Sequence, residues 1–274
     1  MPDRYAIVGN PVSQSKSPLI HAEFARQTGQ ALEYIRLEAP AGFDGFKATV
    51  DAFRAQGARG VNVTAPHKLD ALAYATETSD AAHLAGAANI LAFDGGRVRA
   101  DNFDGVGLVN DLRLNQGFDV AGRRVLLLGA GGAVRGALLP LLAQQPMGIV
   151  IANRTEAKAR ALAAQCGSAA VQGCGLNDLD GMAFDIVLNG TSASLAGELP
   201  GIPFAVFGSA QLAYEMAYGK GLTPFLRLAR DAGVPRLADG VGMLVEQAAE
   251  AFNWWRGARP DTAALIRQLM VPLA

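Results

Sequence analysis

Two kinds of polar signal stand out along the chain, and each suits a different part of one chemistry. The first is a glycine turn: Val125–Leu128 reads as a strand that breaks into Gly129-Ala130-Gly131-Gly132-Ala133 and continues as a helical run over 132–143. Glycines let a backbone turn tightly and approach a pyrophosphate, which then sits on the N-terminus of the following helix, where free N–H groups and the helix dipole favour anions. A second strand, Ile149–Ala152, ends in Asn153-Arg154-Thr155. The end of that strand is where such units read the adenosine ribose, a carboxylate taking a 2′-hydroxyl and an arginine accommodating a 2′-phosphate. Arg154 stands there with Lys158 one helical turn on, and the strand end itself carries no carboxylate. The pattern predicts NADP rather than NAD. Val134 occupies the third glycine position of the usual fingerprint, so the turn is a variant. A tight strand–helix connection without nucleotide is the bland alternative, and Asn-Arg-Thr at the correct remove weighs against it.

The second signal is a set of polar segments ahead of that turn: Ser13 to Pro18, Asn62-Val63-Thr64-Ala65-Pro66-His67-Lys68, and Asp101-Asn102-Phe103-Asp104-Gly105. Each follows a predicted strand or sits at its end, where open α/β sheets place ligands. A cofactor that exchanges hydride with an alcohol carbon needs a partner for the hydroxyl proton, and a positioned lysine or carboxylate serves. Lysine is scarce, five against nineteen arginines, which singles out Lys68 after a strand end. Each residue also has a plainer reading. Lys68 suits a solvated helix start, Asp104 an N-cap for a helix beginning near Val106, Ser17 a cap and Ser15 a turn. On residue type alone Asp101 and Asp104 are tied.

These groups need elements to hold them. Strands are expected at Tyr5–Val8, Leu32–Leu37 and Gly60–Val63, with helices at Pro18–Gln27, Phe43–Gln56, near Lys68–Thr76 and Ser79–Gly86. Asn89–Phe93 and Arg97–Ala100 flank Asp94-Gly95-Gly96, a hairpin signal. Val106–Gln116 is expected to be a helix leading out of this unit. Alternation resumes from Arg124 to Leu188 and implies parallel sheets covered on both faces. Val171–Asn177 is weakly patterned and reads as a loop. Thr223–Asp231, Gly242–Trp255 and Thr262–Leu269 have helical spacing, with no strand expected after them. The fold class is α/β with two domains: a substrate domain over 1–104 completed by helices of 241–274, and a Rossmann-type NADP-binding domain over 105–240.

Composition narrows the function classes. The 274 residues suffice for a sizeable core, and half are hydrophobic, yet no apolar run reaches the ~18 residues of a membrane span. A net charge of −1 gives no general attraction to nucleic acid or an anionic membrane. Cys166 and Cys174 match neither a zinc nor a redox motif, so no metal is expected and two ordinary thiols are. The start of the chain shows no signal-peptide pattern, and a cytoplasmic location is expected. Trp254 and Trp255 suit core packing as well as an interface, leaving monomer or homodimer open.

Taken in order, the segments resemble the shikimate dehydrogenase family along nearly the whole chain. The match is carried by Gly9-Asn10-Pro11 with Ser15-Lys16-Ser17-Pro18, Asn62-Val63-Thr64 with Pro66 and Lys68, Ala85 to Asn89, Asp101-Asn102 with Asp104-Gly105, Gly129–Ala133, Asn153-Arg154-Thr155, Met216 with Tyr218, and Gly240 through Gln247. The resemblance implies reversible NADPH-dependent reduction of 3-dehydroshikimate to shikimate in aromatic amino-acid biosynthesis. It implies that Lys68 and Asp104 form the catalytic pair, the second aspartate being the catalytic one in the family pattern. Ser15 and Ser17, assisted by Tyr218, would hold the substrate carboxylate, and Thr64, Asn89 and Gln247 the ring substituents. Gly129, Ala130, Gly131, Gly132 and Ala133 would line the pyrophosphate. Asn153, Arg154, Thr155 and Lys158 would surround the ribose and 2′-phosphate, with Met216 and Gly240 near the nicotinamide. The chain departs from the family at Phe103, usually threonine, at Ala65 and His67, usually valine and phenylalanine, and at Glu215, usually aspartate. Lys158 stands in for a frequent arginine. Phe103 either packs behind the site or alters it, and His67 reads as an exposed polar substitution rather than a catalytic histidine. The alternatives are a quinate/shikimate paralogue with broader substrate or NAD use, and an NADP(H)-binding sensor without turnover.

Overall fold

The computed structural model describes residues 2–191, 193 and 197–273 and divides into two compact units. The first comprises residues 1–107 and 245–265, the second residues 108–244 and 266–274.

The first unit holds a six-stranded sheet in the order β2-β1-β3-β5-β6-β4. Its strands are β1 (Asp3–Gly9), β2 (Leu32–Glu38), β3 (Ala58–Val63), β4 (Glu77–Thr78), β5 (Ile90–Asp94) and β6 (Arg97–Asp101). β1, β2 and β3 run parallel, whereas β5 is antiparallel to both β3 and β6. The sheet is therefore mixed, not parallel throughout, because the 94–96 turn is too short for a crossover and folds β5 and β6 into a hairpin. Around it lie α1 (Ser17–Thr28), α2 (Phe43–Ala55), α3 (Lys68–Tyr74) and α4 (Asp80–Ala85). α2 buries Phe46, Val50 and Phe53, one apolar stripe at helical spacing, in a core with Val61, Leu91 and Phe93. Ser17 does not cap α1: Lys16 holds the cap position without a side-chain bond, and Ser17 is the first helical residue, beside Pro18. Ser79 does cap α4, accepting from Ala82 N–H at 3.1 Å.

α5 (Asp104–Asn110) begins two residues before the expected Val106 and runs into a π-helical turn over Asp111–Asn115. In the second unit β7 (Arg124–Leu128), β8 (Gly148–Asn153), β9 (Val171–Gly175), β10 (Ile186–Asn189), β11 (Leu212–Glu215) and β12 (Leu237–Asp239) form an all-parallel sheet, order β12-β11-β10-β7-β8-β9. That is the doubly wound order, with its reversal between β7 and β10. α6 (Gly132–Leu142), α7 (Glu156–Cys166) and α8 (Pro224–Asp231) supply its helices. Two expectations are corrected here. Val171–Gly175 is a strand, not a loop: Gly173 lies so close to Ala159 of α7 that no side chain fits, which erased the apolar alternation. Leu237–Asp239 is a strand following the helix at 224–231, too short to show a period.

α9 (Val241–Arg256) and α10 (Ala263–Leu269) close the chain. Val245, Ala248, Ala249 and Phe252 are buried along α9. The compact units part from the expected boundaries at residues 105–107, 241–244 and 266–274. The last segment joins the second unit because Leu273 packs on its core beside Phe225 and Leu226.

Candidate active site

In the first unit the polar segments converge on one edge of the sheet. β1, β3 and β6 all point their C-terminal ends there, and antiparallel β5 begins there. Lys68 and Asp104 are each the first residue of a helix, α3 and α5, entered just beyond a strand end. Lys68 Nζ donates to Asp104 Oδ2 at 2.5 Å. Asn89 Nδ2 donates to Asp104 Oδ1 at 2.8 Å and reaches Gln247 Oε1 at 3.4 Å. Phe103 N–H donates to Asn89 Oδ1 at 2.9 Å, which fixes which way that amide points. The carboxylate thus has one oxygen on the amine and the other on the amide.

The second aspartate is held for another purpose. Asp101 Oδ1 accepts from Ser79 Oγ at 2.5 Å and from Asn102 N–H at 2.7 Å, fastening the start of α4. Geometry therefore separates two carboxylates that residue type left tied. Asp104 is not an N-cap, since its side chain faces Lys68 and Asn89. Asn102, buried, sets its backbone: Nδ2 donates to Ala87 C=O at 2.9 Å and Oδ1 accepts Asp104 N–H at 3.1 Å. The sequence places Asn102 in the polar segment between the two aspartates but gives it no role of its own.

Ser15 and Ser17 form their own pair, Oγ to Oγ 3.2 Å, with Ser17 N–H also donating to Ser15 Oγ. Thr64 follows the end of β3, its N–H donating to Val8 C=O at 2.9 Å. Behind them, Tyr34 Oη donates to buried Asn62 Oδ1 at 2.7 Å, and His21 stacks on the Tyr34 ring at 4.3 Å. Burial holds the Tyr34 phenol well above its ordinary range and pulls the His21 imidazole down to about 3, against a smaller opposing effect of Asn62. His21 is thus neutral, a core histidine that sequence reading passed over for lack of any motif around it.

His67 corrects an expectation: it is fully buried, not exposed. Its Nδ1 lies 2.7 Å from Asp70 Oδ2 and its Nε2 3.2 Å from Ala39 C=O, so the ring braces the start of α3 immediately before Lys68. Phe103 packs edge-on against Trp254 with ring centroids 5.7 Å apart.

In the second unit a cavity of ≈ 540 Å³ opens at the C-terminal ends of the strands. Gly129, Ala130, Gly131, Gly132, Asn153 and Arg154 line it together with Thr191, Leu176 and the 198–201 loop. Ala133, Thr155, Lys158, Met216, Tyr218 and Gly240 do not line it. Thr155 is the N-cap position of α7, its C=O accepting from Asn153 Nδ2 at 2.9 Å. Gly129 adopts φ +106°, a backbone conformation a side chain would strain. Added side chains at Gly131 and Gly132 would meet open space, leaving room for a ligand against the backbone. α6 starts from Gly131 with no side-chain cap and no acidic residue in its first turn, so its N–H groups are available to an anion. Glu156 is engaged by Arg160 at 2.5 Å, and among the described residues Arg154 and Lys158 form no ion pair. The 198–201 loop carried no period that could have announced it.

Comparison with known proteins agrees with this geometry. Residues 7–91 match the shikimate dehydrogenase substrate binding domain, 112–196 the shikimate / quinate 5-dehydrogenase family, and 240–270 the shikimate 5′-dehydrogenase C-terminal domain. The chain is 52% identical over 272 residues to a shikimate dehydrogenase (NADP(+)) of Nitrosospira multiformis, covering 98% of each. Among solved structures it is similar to an Ael1 enzyme from Pseudomonas putida, 57% identical with a TM-score of 0.97 over 99% of this chain and 100% of that one. It is also similar to shikimate 5-dehydrogenase from Thermus thermophilus in complex with NADP(H) and shikimate, 29% identical, TM-score 0.85, covering 97% of each chain. With half its residues identical to a relative it matches nearly end to end, and with the polar groups of that pattern gathered at two sheet edges, the chain belongs to the shikimate dehydrogenase family.

Proposed function

We propose that this protein interconverts 3-dehydroshikimate and shikimate with NADP as coenzyme. The observation that carries the reading is the Lys68–Asp104 pair at 2.5 Å, buttressed by Asn89 at the edge where Ser15, Ser17 and Thr64 also lie. A small polyol acid needs such donors and acceptors, and an analogue lacking a hydroxyl leaves them unpaired and is rejected.

The second unit suits the coenzyme. Gly129 to Gly132 and the uncapped start of α6 would hold the pyrophosphate, and Arg154 with Lys158 the 2′-phosphate, Asn153 and Thr155 shaping the ribose side. When bound, the nicotinamide supplies or accepts hydride at the substrate's secondary alcohol carbon. Lys68 Nζ gives a proton to the C3 oxygen during reduction and takes it back during oxidation. Asp104 holds the amine in place through Oδ2, and Asn89 holds Asp104. Ser15 and Ser17 donate to the carboxylate, while Thr64, Asn89 and Gln247 discriminate among ring hydroxyls. Thr155 and Lys158, outside the cavity lining, enter through their place in the chain after β8, and the roles of Ala133, Tyr218, Met216 and Gly240 rest on the family resemblance. As reading of the chain's parts, residues 1–104 with 241–274 serve the substrate and 105–240 the coenzyme.

The test is the appearance of NADPH absorbance on mixing the protein with shikimate and NADP, run beside NAD and beside quinate. Robust turnover with NADP and shikimate is expected. A clear preference for NAD with quinate overturns the reading, and coenzyme binding without turnover on any cyclohexene acid makes the protein a sensor.

A further inference from the structure

Three polar residues stand in register across the ends of β10, β11 and β12: Asn189 pairs with Glu215, and Glu215 with Asp239. All three are buried, Asn189 and Glu215 completely. Buried polar groups of this kind are retained where every member is satisfied, because a half-made network is costly. Here the partners are specific. Asn189 Oδ1 accepts from both Thr191 N–H at 3.1 Å and Thr191 Oγ1 at 2.8 Å, which leaves its Nδ2 to face Glu215 Oε2 at 2.9 Å. The same carboxylate accepts from Thr223 Oγ1 at 3.3 Å and, through Oε1, from Ala217 N–H at 3.3 Å. Asp239 takes Gly219 N–H at 3.3 Å and Val241 N–H at 3.2 Å. The loop 216–219 is thereby bracketed by two carboxylates, and the turn 189–191, which reaches the coenzyme cavity at Gly190 and Thr191, is tied to one of them.

We propose that Glu215 is a positioning residue for coenzyme use: through Asn189 it sets the Thr191 turn of the cavity, and through Ala217 it sets the loop that carries Met216 and Tyr218. Glu215 is fully buried and is not among the residues lining the cavity. Its effect passes through the orientation of one amide and one backbone N–H, so the proposal rests on the coenzyme site described above. A carboxylate is required because it accepts at both oxygens. An amide in its place must present an N–H either to Asn189 Nδ2 or to Ala217 N–H, donor against donor.

Reversing the pair tests this. Glu215→Gln alone puts an amide against an amide donor, and Asn189→Asp alone puts a carboxylate against a carboxylate. The double variant restores a complementary contact, with the Gln amide donating to the Asp carboxylate and the Gln carbonyl still accepting Ala217 N–H. NADPH binding is followed by the coenzyme's own fluorescence, and turnover of shikimate by absorbance, both well below each variant's unfolding temperature. Each single change is expected to weaken NADPH binding about 5-fold and lower kcat about 10-fold or more. The double variant is expected to recover both to within about 3-fold of the parent. A merely structural role would move the unfolding temperature and leave both constants alone. The proposal is overturned if folded single variants stay within twofold of the parent in both constants. It is equally overturned if the double variant is no better than the worse single one, in folding or in either constant. A parent that binds NADPH but does not turn over shikimate refutes the functional reading instead, while the binding arm still reports on Glu215.

Discussion

The two sheets gather their polar groups by different routes. In the second unit much of the cavity wall comes from two strand ends, Gly129 to Gly132 just after β7 and Ala152 to Arg154 at the end of β8, adjacent in the sheet. Each stretch is shaped by its own turn, and among the described residues Arg154 and Lys158 form no ion pair. In the first unit the groups come from far apart: Lys68 and Asp104 are 36 residues apart, Asn89 and Gln247 158. Lys68, Asn89 and Asp104 meet because β3, β5 and β6 pair, Gln247 reaches Asn89 from α9, and the groups are already hydrogen-bonded to one another. One site is a surface that a ligand completes; the other is a network complete before any ligand arrives. The first kind should lose selectivity when a residue is removed, the second should lose its chemistry.

Lys68→Ala gives the sharpest break. Turnover should fall by about 10³-fold, within the range of acid–base groups, while NADPH affinity measured by fluorescence stays near that of the parent. Equal losses in both would erase the distinction between the two sites. Next in size is an acid effect confined to the first unit. Burial holds His21 at about 3 against 6.5 in an unfolded chain, so the unfolded state takes up the proton first. Stability therefore falls as pH drops from 6.5 toward 3, by about 1.4 kcal/mol per unit. Urea midpoints at neutral pH and near pH 4.5 should show His21→Phe losing roughly 2–3 kcal/mol less than the parent; parallel slopes would place the acid sensitivity elsewhere.

Arg154→Ala should reduce the NADP-over-NAD preference in kcat/KM by about 10- to 100-fold, the value of a charge-assisted bond to phosphate, and leave the KM for shikimate nearly unchanged. An unaltered preference would remove Arg154 from the 2′-phosphate. Smallest is Phe103→Thr. The Phe103 ring packs on Trp254, and its backbone N–H, not its side chain, holds Asn89. Loss of the aromatic pair should lower stability by about 1 kcal/mol with kcat within threefold. A larger loss of turnover would mean that the ring itself shapes the substrate site.

Legibility followed the same divide. The glycine turn and Arg154 could be read in the chain because a strand, a turn and a helix start are consecutive residues with a recognisable order. Lys68 was marked by scarcity and by its place after a strand, and Asp104 could not be told from Asp101 without the family pattern. What distinguished them was Ser79 bonding one and Lys68 the other, contacts between residues remote in sequence. β9 was missed because Gly173 serves the packing of α7 and carries no apolar period. His67 was misplaced because a polar residue type gives no warning that Asp70 and Ala39 C=O await it inside.

By itself the chain determined the alternation of elements, the two-part α/β plan and the identity of the groups able to bind a phosphate or move a proton, since these depend on period, turn chemistry and residue type. Which carboxylate meets the amine, which histidine is buried and neutral, and how Asn189, Glu215 and Asp239 line up were decided only by folding. Hydrogen bonds act over about 3 Å and need direction, and nothing short of strand register and helix packing brings distant side chains within that reach.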